Sequence, residues 1–371
     1  MEDRFVSPSP AFVHHDLRSP TLQVAALTEY PELINLAKDA FPADVVERAK
    51  ELLSEIGSIG AYSHSQGVPF IRKSVAKFIE GAKNSRIFPR DATDSTSERD
   101  GFPANPNHIF LTAGASAGVS LLIQLLIKPV TANNPSPSGV LIPIPQYPLY
   151  TATLAQFSGT PLPYYLDESK GWSTSPAEVE AALAEAKKKG VTPKALVVIN
   201  PGNPTGALLD EKTQEGLVKL CEEHNLVLLA DEVYQSNLHR RQEAPFTSFK
   251  KTVRKMNSPV GLISYHSISK GVTGECGRRG GYFECTNFPE EIIALVYKMV
   301  GTDGQYRVAS WLTLPSLRFR LEFAHPSPVR LASTSWSGRQ NPVPPPTISG
   351  RRKRTRLMQP SPLVRKRWPN D

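Results

Sequence analysis

The stretch ALVVINPGNPTGALLDEKTQEGLVKLCEEHNLVLLAD, residues 195–231, decides the fold. It opens on a continuously apolar run, ALVVIN (195–200), and turns through a Pro/Gly loop. A helical stretch from Asp210 to Asn225 follows, and then a second apolar run, LVLLAD (226–231). Short apolar runs without alternation are those of parallel strands buried on both faces. Strand, helix and strand in turn form the repeat of an α/β domain.

The same alternation extends in both directions. Strands are predicted at HIFLT (108–112), GVLIP (139–143), PLPYYL (161–166), GLISYH (261–266) and GGYFEC (280–285). Helices are predicted at Ala117–Lys128, Pro148–Phe157, Pro176–Lys189 and Pro289–Val300. The expected architecture is a mostly parallel seven-stranded sheet flanked by helices. Upstream, PADVVERAKELLSEIG (42–57) and GVPFIRKSVAKFIEGA (67–82) carry helical periodicity with Pro near the start and Gly near the end, the usual start and stop signals. The chain divides into an arm (1–30), a helical segment (31–83), a polar Pro/Gly-punctuated loop (84–106), the α/β domain (107–300) and a tail (301–371).

The tail differs in kind. It holds ten prolines, the clusters RRKRTR (351–356) and RKR (365–367), and 13 basic against 3 acidic residues. The first 300 residues carry 30 basic and 32 acidic side chains, so the whole excess of positive charge, +8 for the chain, lies in the tail. A near-neutral body suits a metabolic enzyme better than a nucleic-acid binder. The tail reads as disordered, with polyproline character at PVPPPT (342–347). Its composition fits a shifted reading frame, a mispredicted exon or an alternative splice product. No apolar run approaches the ~20 residues of a membrane span. The start, MEDRF, lacks a secretory h-region, and the three cysteines show no paired spacing. The expected location is cytoplasmic, with mitochondria as the alternative.

Ligands of parallel sheets sit at strand C-terminal ends, and polar residues gather there. AGASAG (113–118) follows the first strand and opens a helix, where backbone N–H groups favour an anion. NPGNPTG (200–206) follows ALVVI, and DEVY (231–234) follows LVLLA. HSISKGVTGECGRRGGYF (266–283) places Lys270 after two serines and before two arginines. Taken singly, each has an ordinary reading: a tight turn, a turn-forming Asn, a paired acid, a solvated lysine. Together they ask for one ligand with a phosphate, a partner for a carboxylate and a carbonyl for an amine. Pyridoxal 5'-phosphate meets all three demands. No metal-ligand spacing accompanies them.

The set NPGNPTG, ADEVY, SISKG and GECGRRGGY resembles the class-I aminotransferases of fold type I. PIPQYPLY (143–150), GAYSHSQG (60–67) and SKGVTGECGRRGGY (269–282) resemble the alanine aminotransferase branch. The resemblance covers about residues 23–300. It implies that Lys270 bonds covalently to the cofactor, that Asp231 pairs with the ring nitrogen, and that Asn203 and Tyr234 bond its phenolic oxygen. It further implies that Tyr147 stacks on the ring and that Ala115, Ser116, Ser267 and Arg279 hold the phosphate. Arg278 is the less favoured of the two arginines. Tyr62 would reach the cofactor of a second copy in a homodimer. Lys270, Asp231 and Tyr234 form the implied catalytic group.

The implied reaction converts L-alanine and 2-oxoglutarate to pyruvate and L-glutamate. A glutamate–glyoxylate aminotransferase on the same scaffold is the alternative. A second alternative is an idle aminotransferase domain acting as a regulator through a nucleic-acid-binding tail. Two regions depart from the family. The arm lacks its Asn-Ile-Gly-Asn-Pro stretch, and the tail lacks the small domain that supplies a substrate-carboxylate arginine. Arg307, Arg318 and Arg320 lie in no matching motif. The expectation is therefore an incomplete small domain and impaired turnover.

Overall fold

The computed structural model describes residues 63–81, 100–239, 242–270 and 274–300, together with six helical positions between Ala43 and Glu55. The arm, most of the 84–106 loop, Tyr62 and the 301–371 tail lie outside the described residues.

Seven strands form one sheet: β1 Ile109–Thr112, β2 Ser138–Ile144, β3 Thr160–Tyr165, β4 Thr192–Ile199, β5 Val227–Asp231, β6 Leu262–Ser267 and β7 Gly281–Thr286. Their order is β1-β7-β6-β5-β4-β2-β3. Pairings among β2, β3, β4, β5 and β6 are all parallel. β7 runs antiparallel to both β6 and β1, so it alone is reversed. A parallel neighbour needs a crossover, usually helical, whereas an antiparallel one does not. Among the described residues between Ser267 and Gly281 there is no helix longer than the three residues Cys276–Arg278, which is the local reason for the reversal.

The apolar runs lie where both faces are covered. β1, β5 and β6 are buried along nearly their whole length. β3, at the edge, alternates instead, with Leu162 and Tyr164 buried and Pro161 and Pro163 exposed. Proline lacks a ladder donor and is tolerated at such an edge.

Beyond the helical positions between Ala43 and Glu55, the α-helices whose bounds are described are α1 Pro69–Glu80, α2 Ala115–Leu126, α3 Leu149–Gln156, α4 Pro176–Lys188, α5 Glu211–Glu223, α6 Phe249–Lys255 and α7 Glu290–Met299. Their ends follow from local chemistry. Ser175 caps α4, with Pro176 at the first helical position and Lys187 and Lys188 in the last turn. Asp210 caps α5 by accepting from the Thr213 amide at 2.7 Å. α1 stops at Gly81, whose φ of 78° is left-handed.

α6 was not predicted. FKKTVRK is only seven residues long and mostly charged, so it offers little apolar periodicity. Side-chain ties at its start hold it. Glu232 Oε1 accepts from the Phe249 amide at 2.7 Å, and Ser248 donates to Asp100. Lys250 Nζ reaches Glu284 Oε1 at 2.7 Å and the Pro103 carbonyl at 3.1 Å.

Helices cover both faces. One core joins Leu196, Val198, Leu228 and Ala230 to α4, α5 and α6. The other joins Val197, Leu229, Tyr265 and Phe283 to α2, α3 and α7. α1 adds a third cluster against Ile109, Leu111 and Tyr282. Fully burying each of the Val, Leu, Ile and Phe side chains among them contributes about 1.5–3 kcal/mol.

Candidate active site

Strand direction brings the chemistry together. β1, β4, β5 and β6 all end at one edge of the sheet, and the reversed β7 begins there. The segments after Thr112, Ile199, Asp231 and Ser267, and the residues before Gly281, therefore share that edge.

Side-chain alternation then divides two adjacent acids. Asp231 follows Leu229 onto the α2/α3/α7 face, while Glu232 turns to α6. The Tyr150 hydroxyl on α3 donates to Asp231 Oδ2 at 3.0 Å. The Val233 amide makes a longer approach to Oδ1, 3.4 Å. Asp231 is 7% exposed. Burial pushes its carboxyl above the usual range, opposed by the Tyr150 bond, the Val233 amide and the charge of Lys270. Burial and the neighbouring Asp231 charge raise the Tyr150 phenol well above its ordinary value.

Lys270 lies half-buried, three residues past the end of β6. Its Nζ sits 4.8 Å from the centre of the Tyr234 ring, within cation–π range. The Tyr234 hydroxyl in turn accepts from Asn203 Nδ2 at 3.0 Å. Tyr150, Asp231, Lys270, Tyr234 and Asn203 thus form one connected group drawn from four chain segments.

A second group lies along the same edge. Ala115 and Ser116 are the first two residues of α2. Arg279 Nη2 donates to the Ala113 carbonyl at 3.0 Å and Nη1 to the Cys276 carbonyl at 2.9 Å. Ser267 is buried, donates to the Gly280 carbonyl at 3.4 Å and accepts from the Ser269 amide at 3.1 Å. Tyr147 stands before α3 and is 52% exposed.

The donor set and the space around it fit pyridoxal phosphate. A Cβ on Gly114 would stand 2.7 Å from Arg279 Nη2, and one on Gly281 would stand 2.8 Å from the Ala115 amide nitrogen. Only glycine leaves the start of α2 and the guanidinium side by side, where a phosphate is favoured. A buried carboxylate pushed upward is likewise the proper neighbour of a cationic ring nitrogen.

Sequence reasoning missed Tyr150. It lay within PIPQYPLY, three residues past Tyr147, and helical spacing from an already chosen aromatic was the available signal. Its partner is 81 positions away, so nothing local announced the bond.

The sheet order and this strand-edge constellation define the large domain of a type-I pyridoxal-phosphate transferase. A sequence model of the family "Aminotransferase class I and II" matches residues 31–313, and the chain belongs to that family, whose members depend on pyridoxal phosphate. The chain is 45% identical over 283 residues to a probable mitochondrial alanine aminotransferase of Dictyostelium discoideum, covering 75% of this chain and 49% of that protein. It is 44% identical over 284 residues to glutamate–glyoxylate aminotransferase 1 of Arabidopsis thaliana, covering 75% and 54%. The chain thus spans about half the length of the curated relatives it matches. A solved alanine aminotransferase from Pyrococcus furiosus shares the fold, with a TM-score of 0.56 at 20% identity over 86% of this chain and 76% of that one. No helix among the described residues is long and apolar enough to cross a membrane.

Proposed function

We propose that this chain is a pyridoxal-phosphate-dependent transaminase that moves the amino group of L-alanine to 2-oxoglutarate, giving pyruvate and L-glutamate. The observation that carries the reading is the connected set Tyr150–Asp231–Lys270–Tyr234–Asn203 at one strand edge, beside Arg279 and the start of α2. The choice of alanine is supported by the sequence likeness to alanine aminotransferases.

When bound, the cofactor supplies an electron sink and an amino-group carrier. Lys270 Nζ would be the amine that holds it covalently, and the same nitrogen would take and return the substrate Cα proton. Asp231 would hold a proton on the ring nitrogen. Asn203 and Tyr234 would bond the phenolic oxygen, and Tyr147 would cover the ring. Ala115, Ser116, Ser267 and Arg279 would hold the phosphate. Tyr62 would serve the site of a second copy, so the active unit is a homodimer; the compartment is the cytoplasm, with mitochondria as the alternative that the Dictyostelium relative's name favours. Arg279 suits its task because its planar fork bonds two phosphate oxygens at once.

The test has two arms. Purified chain is incubated with pyridoxal phosphate and reduced with borohydride, and the label is mapped by mass spectrometry. It is then given L-alanine with 2-oxoglutarate, or L-glutamate with glyoxylate. A label on Lys270 with pyruvate from the first pair supports the reading. Turnover of the second pair alone reassigns it to the glyoxylate enzyme, the likeness to which is nearly as strong. No label on a folded chain overturns both.

A further inference from the structure

The role of Asp231 depends on its keeping a negative charge inside the protein, and the fold works against that. The carboxyl is buried, and desolvation disfavours the charged form. The groups that face it come from three elements. Tyr150 approaches from α3 with a hydrogen bond of 3.0 Å. Tyr265 stands directly across from Asp231 on β6. Lys270, past the end of β6, adds an opposing positive charge. The Val233 amide contributes only a long bond from the acid's own segment.

These neighbours differ in kind. The Tyr265 hydroxyl is buried and makes no hydrogen bond among the described residues. The Lys270 Nζ lies over the Tyr234 ring, 4.8 Å from its centre. Tyr150 is the side chain that donates a hydrogen bond to the carboxylate. It is 0% exposed, so its ring is held by packing. Leu154, one turn on, is equally buried on the same face. A fully buried phenol cannot turn to water, and the hydrogen bond that Tyr150 makes among the described residues is the one to Asp231.

We propose that Tyr150 is a positioning residue for the cofactor-binding acid: its phenol holds the Asp231 carboxylate charged and in one orientation, and the cofactor is gripped only while it does. This rests on the reading of Asp231 as the partner of the ring nitrogen. A hydrogen bond to the charged form lowers a carboxyl's pKa, and bonds to ionised groups are about twice as strong as neutral ones. Removing the phenol raises the pH below which Asp231 is protonated and its grip on the ring is lost.

The experiment measures the dissociation constant of pyridoxal phosphate against pH for the wild-type chain, Tyr150→Phe, Asp231→Asn and the double variant. The cofactor's own ionisations are common to all four and cancel in the comparison. Tyr164→Phe is the control, because Tyr164 is another buried tyrosine whose hydroxyl donates to the Val197 carbonyl at 2.8 Å, on the opposite face of the sheet. The acid limb of affinity moves upward by about one pH unit in Tyr150→Phe and stays in place in Tyr164→Phe. The double variant binds no more weakly than Asp231→Asn, since Tyr150 acts through the acid.

Isotope-labelled tyrosine gives a reading that does not need the Phe variant to fold. In the apoprotein, one buried tyrosine resonance follows the protonation of Asp231, and Asp231→Asn abolishes that response. An unmoved limb with wild-type binding intact, an equal loss of affinity at every pH, additive effects in the double variant, or the absence of a titrating tyrosine each overturns the proposal alone. A folded wild-type chain that binds no pyridoxal phosphate overturns the functional reading beneath it as well.

Discussion

Gly114 and Arg279 are in contact across 165 residues of chain: a single methyl on the glycine would stand 2.7 Å from the guanidinium Nη2. Gly114 also has φ 88° and ψ 163°, a region essentially closed to other residues. Gly114→Ala therefore meets both a backbone and a steric barrier. Its expected cost is about 1–3 kcal/mol of stability, measured by urea unfolding. Affinity for pyridoxal phosphate falls as well, because Arg279 must move off the start of α2.

Lys270→Ala removes the amine but little packing, since the side chain is only half-buried. Covalent labelling by pyridoxal phosphate and borohydride is lost. Stability changes by about 0.5–1 kcal/mol, the worth of the contact over Tyr234. A label that persists at another lysine after this substitution would refute the assignment.

Lys250 and Glu284 form an ion pair with side chains 1% and 4% exposed. Lys250→Met leaves the Glu284 charge buried without its ammonium partner and costs about 3–5 kcal/mol. Combining Lys250→Met with Glu284→Leu restores most of that loss, because the desolvated charge is gone too. Urea midpoints of the three variants check the pattern.

Asp231 titrates higher in the folded chain than in the unfolded one. The native state then binds more protons than the unfolded state between the two values, so stability falls as pH rises through that window. Asp231→Asn has no such loss. Without cofactor, the stability of this variant relative to wild type grows with pH by up to about 1.4 kcal/mol per unit across the window, starting near pH ~4. Denaturation of the apoproteins at several pH values reads it directly. A difference that is flat with pH would mean that Asp231 is not perturbed.

The sheet was legible in the sequence because each strand is a short apolar run bounded by turn residues. All seven predicted runs became strands, and the predicted helices from residue 67 onward recur with ends shifted by at most two residues, while the ends of the 42–57 helix lie outside the described residues. α6 was not legible, because its stability comes from Glu232, Ser248 and Lys250 reaching distant partners rather than from an apolar stripe. The reversal of β7 left only a negative trace, the lack of a crossover helix before it. The strand ends were legible only as a set, because Asn203, Asp231, Lys270 and Arg279 each have an ordinary structural reading when taken singly; the structure sets all four at the same end of the sheet.

Local order decided the element types, the polar strand ends and, through the motif set, the family. Periodicity and turn chemistry act between residues close in sequence, so one chain read alone suffices for them. Tertiary packing decided which tyrosine holds Asp231, which face each of the adjacent acids Asp231 and Glu232 serves, and why Gly114 can have no side chain. Those outcomes depend on desolvation and on contacts between segments 17 to 165 residues apart, and neither exists until the sheet has formed.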